Sequence, residues 1–257
     1  MTDQISGLVD RADVCVVAMA ECFRGDGELL ANPIGTIPMI GGRLARATFE
    51  PDLAMTDGEA RLIANDEAFA WPNGKIVETF NPYRQMFGWV WNGRRHVVMG
   101  GTQIDQYGNQ NFAAIGDYKR PKVQLLGYRG APGNTINDTT SYWVPNHSPN
   151  VLCAKVDTVC GIGYDRAAQL GERERRFHEI RYVVTNLAVL DFATPGHRMR
   201  LRSVHPGVTA DEVQDATGFD LVIPDDVPQS RLPTPDELDL IATVIDPTGE
   251  RLKEVPS

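Results

Sequence analysis

The 257-residue chain is long enough to bury a sizeable core, and its 42% hydrophobic and 23% charged residues fit one continuous soluble domain spanning 1–257. A formal net charge of −9 argues against nucleic acid as a partner, because phosphate backbones need a concentrated basic surface. No run approaches the roughly 20 apolar residues of a membrane span. The polar opening "MTDQISGLVDRAD" lacks a basic start and an apolar centre, so a cytoplasmic protein with no membrane partner is expected.

In chain order, "VCVVAMAECF" (14–23) predicts a helix ended by the turn "RGDG", and "ELLAN" (28–32) a short buried strand. "PIGTIP" (33–38) reads as a loop, broken by two prolines and a glycine. "MIGGRLARATF" (39–49) predicts a helix that starts just after Pro38. Gly41 and Gly42 lower its propensity, which points to close packing or to backbone approach to a ligand. "DLAMT" (52–56) is the next strand. Strand, loop, helix, strand with short connections is a parallel α/β unit, whose function gathers at the carboxyl ends of the strands. "PIGTIP" and "TDGE" (56–59) both lie there.

The segment 65–96 reads as irregular and holds three of the four tryptophans; lid, partner dock and core packing are all open for it. "HVVMGGTQID" (96–105), "FAAIG" (112–116) and "KVQLLG" (122–127) are strands, with "QYGNQN" a turn. "GYRGAPGNTINDTTSYWV" (127–144) is rich in Gly, Asn and Thr, a composition that suits cradling an acyl carbonyl or a phosphate but is also that of ordinary turns. "NVLCAKVDTVCGIG" (150–163), "RYVVTNLAVLDFA" (181–193) and "RMRLRSVHPG" (198–207) predict further strands. "GERERRFHEIR" (171–181) is basic but interrupted by glutamates and reads as a solvated helix face or loop. "TADEVQDATG" (209–218) carries a capping-box pattern, and "TPDELDLIATVI" (234–245) predicts a helix with Pro235 in its first turn.

Chemical motifs are sparse. GxSxG, GxxxxGK[ST], HExxH and GxGxxG are absent, so no dinucleotide cofactor is expected. Cys15, Cys22, Cys153 and Cys160 lack zinc spacing and read as buried thiols, and the five histidines are scattered, so no metal is expected. "TDGE" stands open between a nucleophile, an acid/base pair and a solvated turn.

Several stretches together resemble the beta subunit of class I CoA-transferases: "ELLANPIGTIPMIGGRLARATFEPDLAMTDGE", "GGTQIDQYGNQN", "GAPGNTINDTT", "VDTVCGIGY", "VVTNLAVLDF", "HPGVTADEVQDATGFDL" and "PTPDELDLIATVIDPTG". They follow the family's order along nearly the whole chain. The resemblance implies an open, mostly parallel α/β sheet with additional antiparallel strands. It also implies an alpha-subunit partner of the same fold, expected in an α2β2 assembly, and an acyl-CoA substrate bound where the subunits meet. Coenzyme A then belongs to the substrate, and no separate cofactor is implied.

The chain departs from that family at "TDGE". Transferases of this kind carry S-E-N-G or S-E-x-G there, and the glutamate attacks the thioester. Here Asp57 falls on the nucleophile position, one methylene short, and Glu59 falls on the glycine. A displacement of about 1 Å can cost about 100-fold in a near-attack geometry. The resemblance is therefore strongest to family members that open the last steroid ring, held as its CoA thioester, by hydrolytic C–C cleavage of a cyclic β-keto acyl group. Such chemistry needs a base for water and donors for the developing oxyanion. The alternatives are a transferase using Asp57 as nucleophile and a non-catalytic stabilising subunit. Asp57 and Glu59 are the expected catalytic residues, with Gln103, Asn109, Gly133 and Asn134 contacting substrate or CoA; Gln103 and Asp105 are equally readable as turn residues.

Overall fold

Helix α1 (Arg11–Glu21) opens the fold, its first turn held by the Asp13 carboxylate, which accepts the Asp10 N–H at 3.0 Å. The computed structural model describes residues 9–58, 61–66, 76–92 and 94–255. Strand β1 (Leu30–Pro33) leads into helix α2 (Thr36–Thr48) and back to strand β2 (Ala54–Met55), which pairs parallel to β1. The expected strand–helix–strand unit is present. Helix α2, however, begins at Thr36 rather than after Pro38. Proline in a first turn removes only an N–H that has no intrahelical partner there. The Ile37 N–H, which has no intrahelical acceptor in the first turn, is met by Glu254 Oε2 at 3.0 Å, and Glu254 Oε1 accepts the Trp143 indole N–H at 2.9 Å.

A hairpin follows, β3 (Arg61–Ile63) with β4 (Val77–Phe80), then helix α3 (Tyr83–Asn92) and strand β5 (Arg95–Gly100). The reading of 65–96 as irregular is corrected for residues 77–92 and 95–96, which form a strand, a helix and the start of β5; residues 67–75 and 93 lie outside the described residues. Pro82 precedes the helix, and Met86 and Val90 recur at i, i+4, which seats one face of it. Short ladders β6 (Gln103–Ile104) with β7 (Gln110–Asn111), and β8 (Ala114–Ile115) with β9 (Val123–Gln124), lead to helix α4 (Ala131–Asn137) and strand β10 (Thr139–Val144). After α5 (Tyr164–Ala167), strands β11 (Glu179–Thr185), β12 (Ala188–Asp191) and β13 (Arg200–Val204) complete the sheet.

The seven strands run β13-β12-β11-β10-β5-β1-β2. All neighbours from β11 to β2 are parallel, and β12 and β13 are antiparallel. This is the expected open, mostly parallel sheet with added antiparallel strands. Because strand side chains alternate, two cores form. Val98, Trp143 and Val184 face α1 and α2, whereas Val97, Met99, Tyr142 and Val183 face Ala131 of α4 and the loops. The chain leaves β1 toward β2 and then crosses back to β5 on the other side. Strand order thus reverses between β1 and β5, the place where a crevice opens beyond the strand ends.

The stretch 150–163, expected as a strand, joins no sheet. Leu152, Val156 and Cys160 are buried, but its backbone clamps the 103–111 region through bridges Ile104↔Leu152 and Gln110↔Gly161. Helix α6 (Ala210–Asp215) has the Thr209–Glu212 capping box read from the sequence. Helix α7 (Pro235–Leu240) passes into a π-turn at Ile241–Ile245 and is followed by α8 (Glu250–Glu254). Cys15, Cys22 and Cys160 are buried free thiols, and Cys153 is half-buried.

Gly41 serves close packing rather than a ligand: a Cβ there would meet Met19 Cβ at 2.8 Å and the Ala20 nitrogen at 3.0 Å. Gly41→Ala gains about 1 kcal/mol of helix propensity. It forces α1 and α2 apart, and overpacking of this kind costs about 1–3 kcal/mol or more. The clash is with atoms that cannot rotate away, so a net loss of melting temperature is expected; unchanged or raised thermal stability would contradict this packing account.

Candidate active site

At the reversal point lies a cavity of ≈ 660 Å³, within the range of small-molecule sites. Asn32 and Ile34 enter it from the end of β1, and Met99, Gly100, Gly101 and Thr102 from the end of β5. Helix α3 contributes Met86, Phe87 and Val90, and Gly130, Ala131 and Asn134 come from the start of α4. Phe112, Leu126, Arg129, Gly58 and Arg95 complete the wall. Most of it is apolar; the polarity is concentrated on one floor.

That floor is built around Arg95, which is 4% exposed. Its guanidinium donates to Asn134 Oδ1 at 2.6 Å, to Asp138 Oδ2 at 2.9 Å and to Asn32 Oδ1 at 3.4 Å. Burial pushes the Asp138 carboxyl up to about 6, with Arg95 pulling the other way. Asn134 Nδ2 faces Met99 Sδ at 3.2 Å, and Asn32 Nδ2 donates to the Gly58 carbonyl at 3.4 Å. At the rim, Arg129 has φ 52°, an uncommon left-handed conformation for a side-chain-bearing residue, and makes no hydrogen bond or ion pair among the described residues.

The residues expected from the sequence divide. Asn134 lies on the cavity floor. Asp57 is half-buried at the end of β2 beside the cavity-lining Gly58, and its Oδ1 accepts the Arg61 N–H at 3.3 Å. Gly58 holds φ 85°, which suits glycine, and donates its N–H to Thr56 Oγ1 at 3.2 Å. Glu59 lies outside the described residues, as does Trp71 of the aromatic segment. Gly133 is buried where α3 crosses α4; a Cβ there would collide with Val90.

Gln103 and Asn109 do not line the cavity. Gln103 Oε1 accepts from Asn111 Nδ2 at 2.7 Å and from the Asp157 N–H at 2.9 Å. Asn109 Nδ2 donates to Asp105 Oδ2 at 3.0 Å and to Asp165 Oδ1 at 2.8 Å, while its Oδ1 accepts the Gly163 N–H at 2.8 Å. Both residues hold the "TQIDQYGN" turn to the 157–165 loop. Arg95, Asn32, Asp138 and Arg129 were not anticipated. The available signals were an arginine opening a strand of mostly apolar residues and an asparagine just before the proline that closes another. No group of three or more metal-ligating side chains occurs among the described residues, and no helix of theirs is long and apolar enough to cross a membrane.

The sequence pattern of the coenzyme A transferase family matches residues 87–216, half of the chain. The chain belongs to that family. Among curated CoA-transferase family relatives, the cholesterol ring-cleaving hydrolase IpdB subunit of Rhodococcus jostii (strain RHA1) is 49% identical over 96% of this chain and 96% of its own. The IpdB subunit of Mycobacterium tuberculosis (strain ATCC 25618 / H37Rv) is 49% identical over 96% of this chain and 99% of its own. The crystal structure of Rhodococcus jostii RHA1 IpdAB superposes with a TM-score of 0.90 at 48% identity, covering 97% of this chain and 99% of that one. The family's sheet is thus the sheet described above.

Proposed function

We propose that this chain is the beta subunit of a cholesterol ring-cleaving hydrolase that opens a cyclic β-keto acyl-CoA by hydrolytic C–C cleavage. The observation that carries the reading is the 49% identity, over 96% of the chain, with subunits named for that activity. The cavity is in keeping with it: an apolar wall suits an alicyclic acyl group, and a polar floor suits its oxygen. The working assembly is read as α2β2 with an alpha subunit of the same family, in the cytoplasm, with no cofactor beyond the coenzyme A carried by the substrate. Phe80 (67% exposed), Trp91 (62%) and the cavity-lining Leu126 (70%) are large exposed apolar side chains that suit burial against that partner.

The reaction balances with one water. Hydroxide adds to the ring ketone, and the alkoxide collapses and breaks the bond to the α-carbon. That carbon leaves as a thioester enolate and takes up a proton, while the ketone carbon ends as a carboxylate. The test is 2-oxocyclohexane-1-carboxyl-CoA given to the co-expressed complex in heavy-oxygen water. One heavy oxygen should enter the new carboxylate while the thioester survives. Transfer of CoA to an added carboxylic acid, or an acyl-CoA adduct trapped on Asp57 by hydroxylamine, would overturn the reading in favour of a transferase.

In this reading Asp57 shapes its turn and orients its surroundings, because its carboxylate is engaged by the turn's own backbone. Asp57→Asn keeps that acceptor and is expected to retain more than about a tenth of the ring-opening rate. A fall of about 10²–10⁴-fold, the range for loss of a general base, would instead make Asp57 the base.

A further inference from the structure

We propose that Arg95 locks the Asn134 amide so that its NH₂ is held toward the acyl cavity, as the donor that receives the ring-ketone oxygen of the substrate. The inference rests on the ring-opening reading and assigns it a donor and a positioning residue.

An asparagine amide can be placed in two ways that exchange oxygen and nitrogen, and the neighbours decide which one holds. A guanidinium is only a donor. With Arg95 2.6 Å from Asn134 Oδ1, the flipped amide would set donor against donor. Asp138, gripping the same guanidinium nitrogen at 2.9 Å, keeps Arg95 from turning away. Asn32 Oδ1 accepts from the other arm at 3.4 Å, so a second amide is aligned by the same cation.

The Asn134 NH₂ is left facing Met99 Sδ at 3.2 Å. A thioether is a weak acceptor, so the NH₂ of Asn134, a buried residue, is nearly unspent. A Cβ on Gly130 would stand 3.6 Å from Asn134 Nδ2; its absence leaves the amide uncovered on that side. Val90, Phe112 and Leu126 offer no competing side-chain acceptor across the cavity, and Met86 offers only another thioether. A buried donor of this kind rejects ligands that bring no acceptor, because it then stays unpaired. It also strengthens as the ketone oxygen becomes an alkoxide, since a charged acceptor binds a donor more tightly than a neutral one.

The experiment uses the assembled complex and two probes, 2-oxocyclohexane-1-carboxyl-CoA and cyclohexane-1-carboxyl-CoA, which differ in the ring ketone alone. Affinities are read by competition, together with kcat for the keto compound. The unmodified complex should prefer the keto probe by about tenfold. Asn134→Asp keeps an acceptor for Arg95 but loses the donor. It should bring the preference near unity and lower kcat about 10²-fold, in the range for one oxyanion donor, with affinity for the ketone-free probe unchanged within about twofold. Asn134→Ala should do the same with a smaller loss of kcat, and Arg95→Lys should fall between it and the unmodified complex. An unchanged preference in Asn134→Asp, or equal weakening of both probes, overturns the proposal. If the unmodified complex opens no ring, the function reading fails. The ratio of dissociation constants still decides the amide, because the keto probe is then a stable ligand.

Discussion

Replacing Arg95 with methionine is expected to cost about 3–5 kcal/mol of folding stability at neutral pH, the penalty for leaving one member of a buried ion pair alone. The orphan is Asp138, which is 1% exposed. Its carboxyl already sits at about 6 with Arg95 beside it, because burial outweighs the attraction. Without the cation it would go higher and carry a proton at pH 7. A carboxyl raised in the folded state penalises folding above its pKa, and the penalty is relieved as pH falls toward the unfolded value near 3.8. The deficit of Arg95→Met should therefore shrink between pH 7.5 and 5. Adding Asp138→Asn removes the second charge and should recover a large part of the loss at neutral pH. Denaturant titration of the complex decides it: a deficit below about 1 kcal/mol, or one that grows on acidification, is incompatible with this account.

Acid should destabilise the whole protein well before its surface carboxylates titrate. His147 is 6% exposed and bonds Thr185 Oγ1 and Thr217 Oγ1, each at 2.9 Å. His205 is fully buried and bonds Ser230 Oγ and the Thr185 carbonyl, each at 2.9 Å. Burial pushes both down to about 4. A histidine lowered in the folded state contributes full stability above its unfolded value near 6.5, and loses it as pH falls toward the folded value. Each can remove up to about 3 kcal/mol, at 1.36 kcal/mol per pKa unit. Asp138 opposes them by a similar amount, since the folded state protonates it first. Burial raises Asp105 in the same opposing sense, while it lowers His96 and His178 to join the loss. The histidines outnumber the raised carboxyls, so melting temperature should drop between pH 6.5 and 4.5. His147→Gln should flatten the fall; stability that holds or rises over that window would show the histidines are not carried neutral.

The parallel unit was legible because its signals are local. An apolar helix, a strand closed by proline and a short return to another strand each reveal themselves within a dozen residues. The segment around α3 was not, since its tryptophans and Gly88 mask the Met86–Val90 spacing that seats it. Val-rich 150–163 copied a strand's composition while its backbone found partners in a turn. The site was legible only in part. Asn134 stood in a stretch whose composition suggested donors, and the family resemblance directed attention to "TDGE". Arg95 and Asp138 stayed hidden because their pairing spans 43 positions and exists only once β5 and α4 are in place. "TQIDQYGN" and "HPGVT", two of the stretches that carry the family resemblance, serve the frame: Asn109 staples one turn, and His205 ties the β11–β12 connection.

Glu254 gives the molecule an order of assembly. Its carboxylate reaches Ile37 across 217 residues and completes the first turn of α2, directly after cavity-lining Ile34. During synthesis β1, α2 and β2 emerge well before the acceptor that settles their loop, which is made 217 residues after Ile37. Contacts this distant in sequence form late, since long-range closure must precede their reward. Nascent chains should therefore carry a formed parallel unit whose site loop still fluctuates, and the cavity should acquire its β1 wall only as α8 docks.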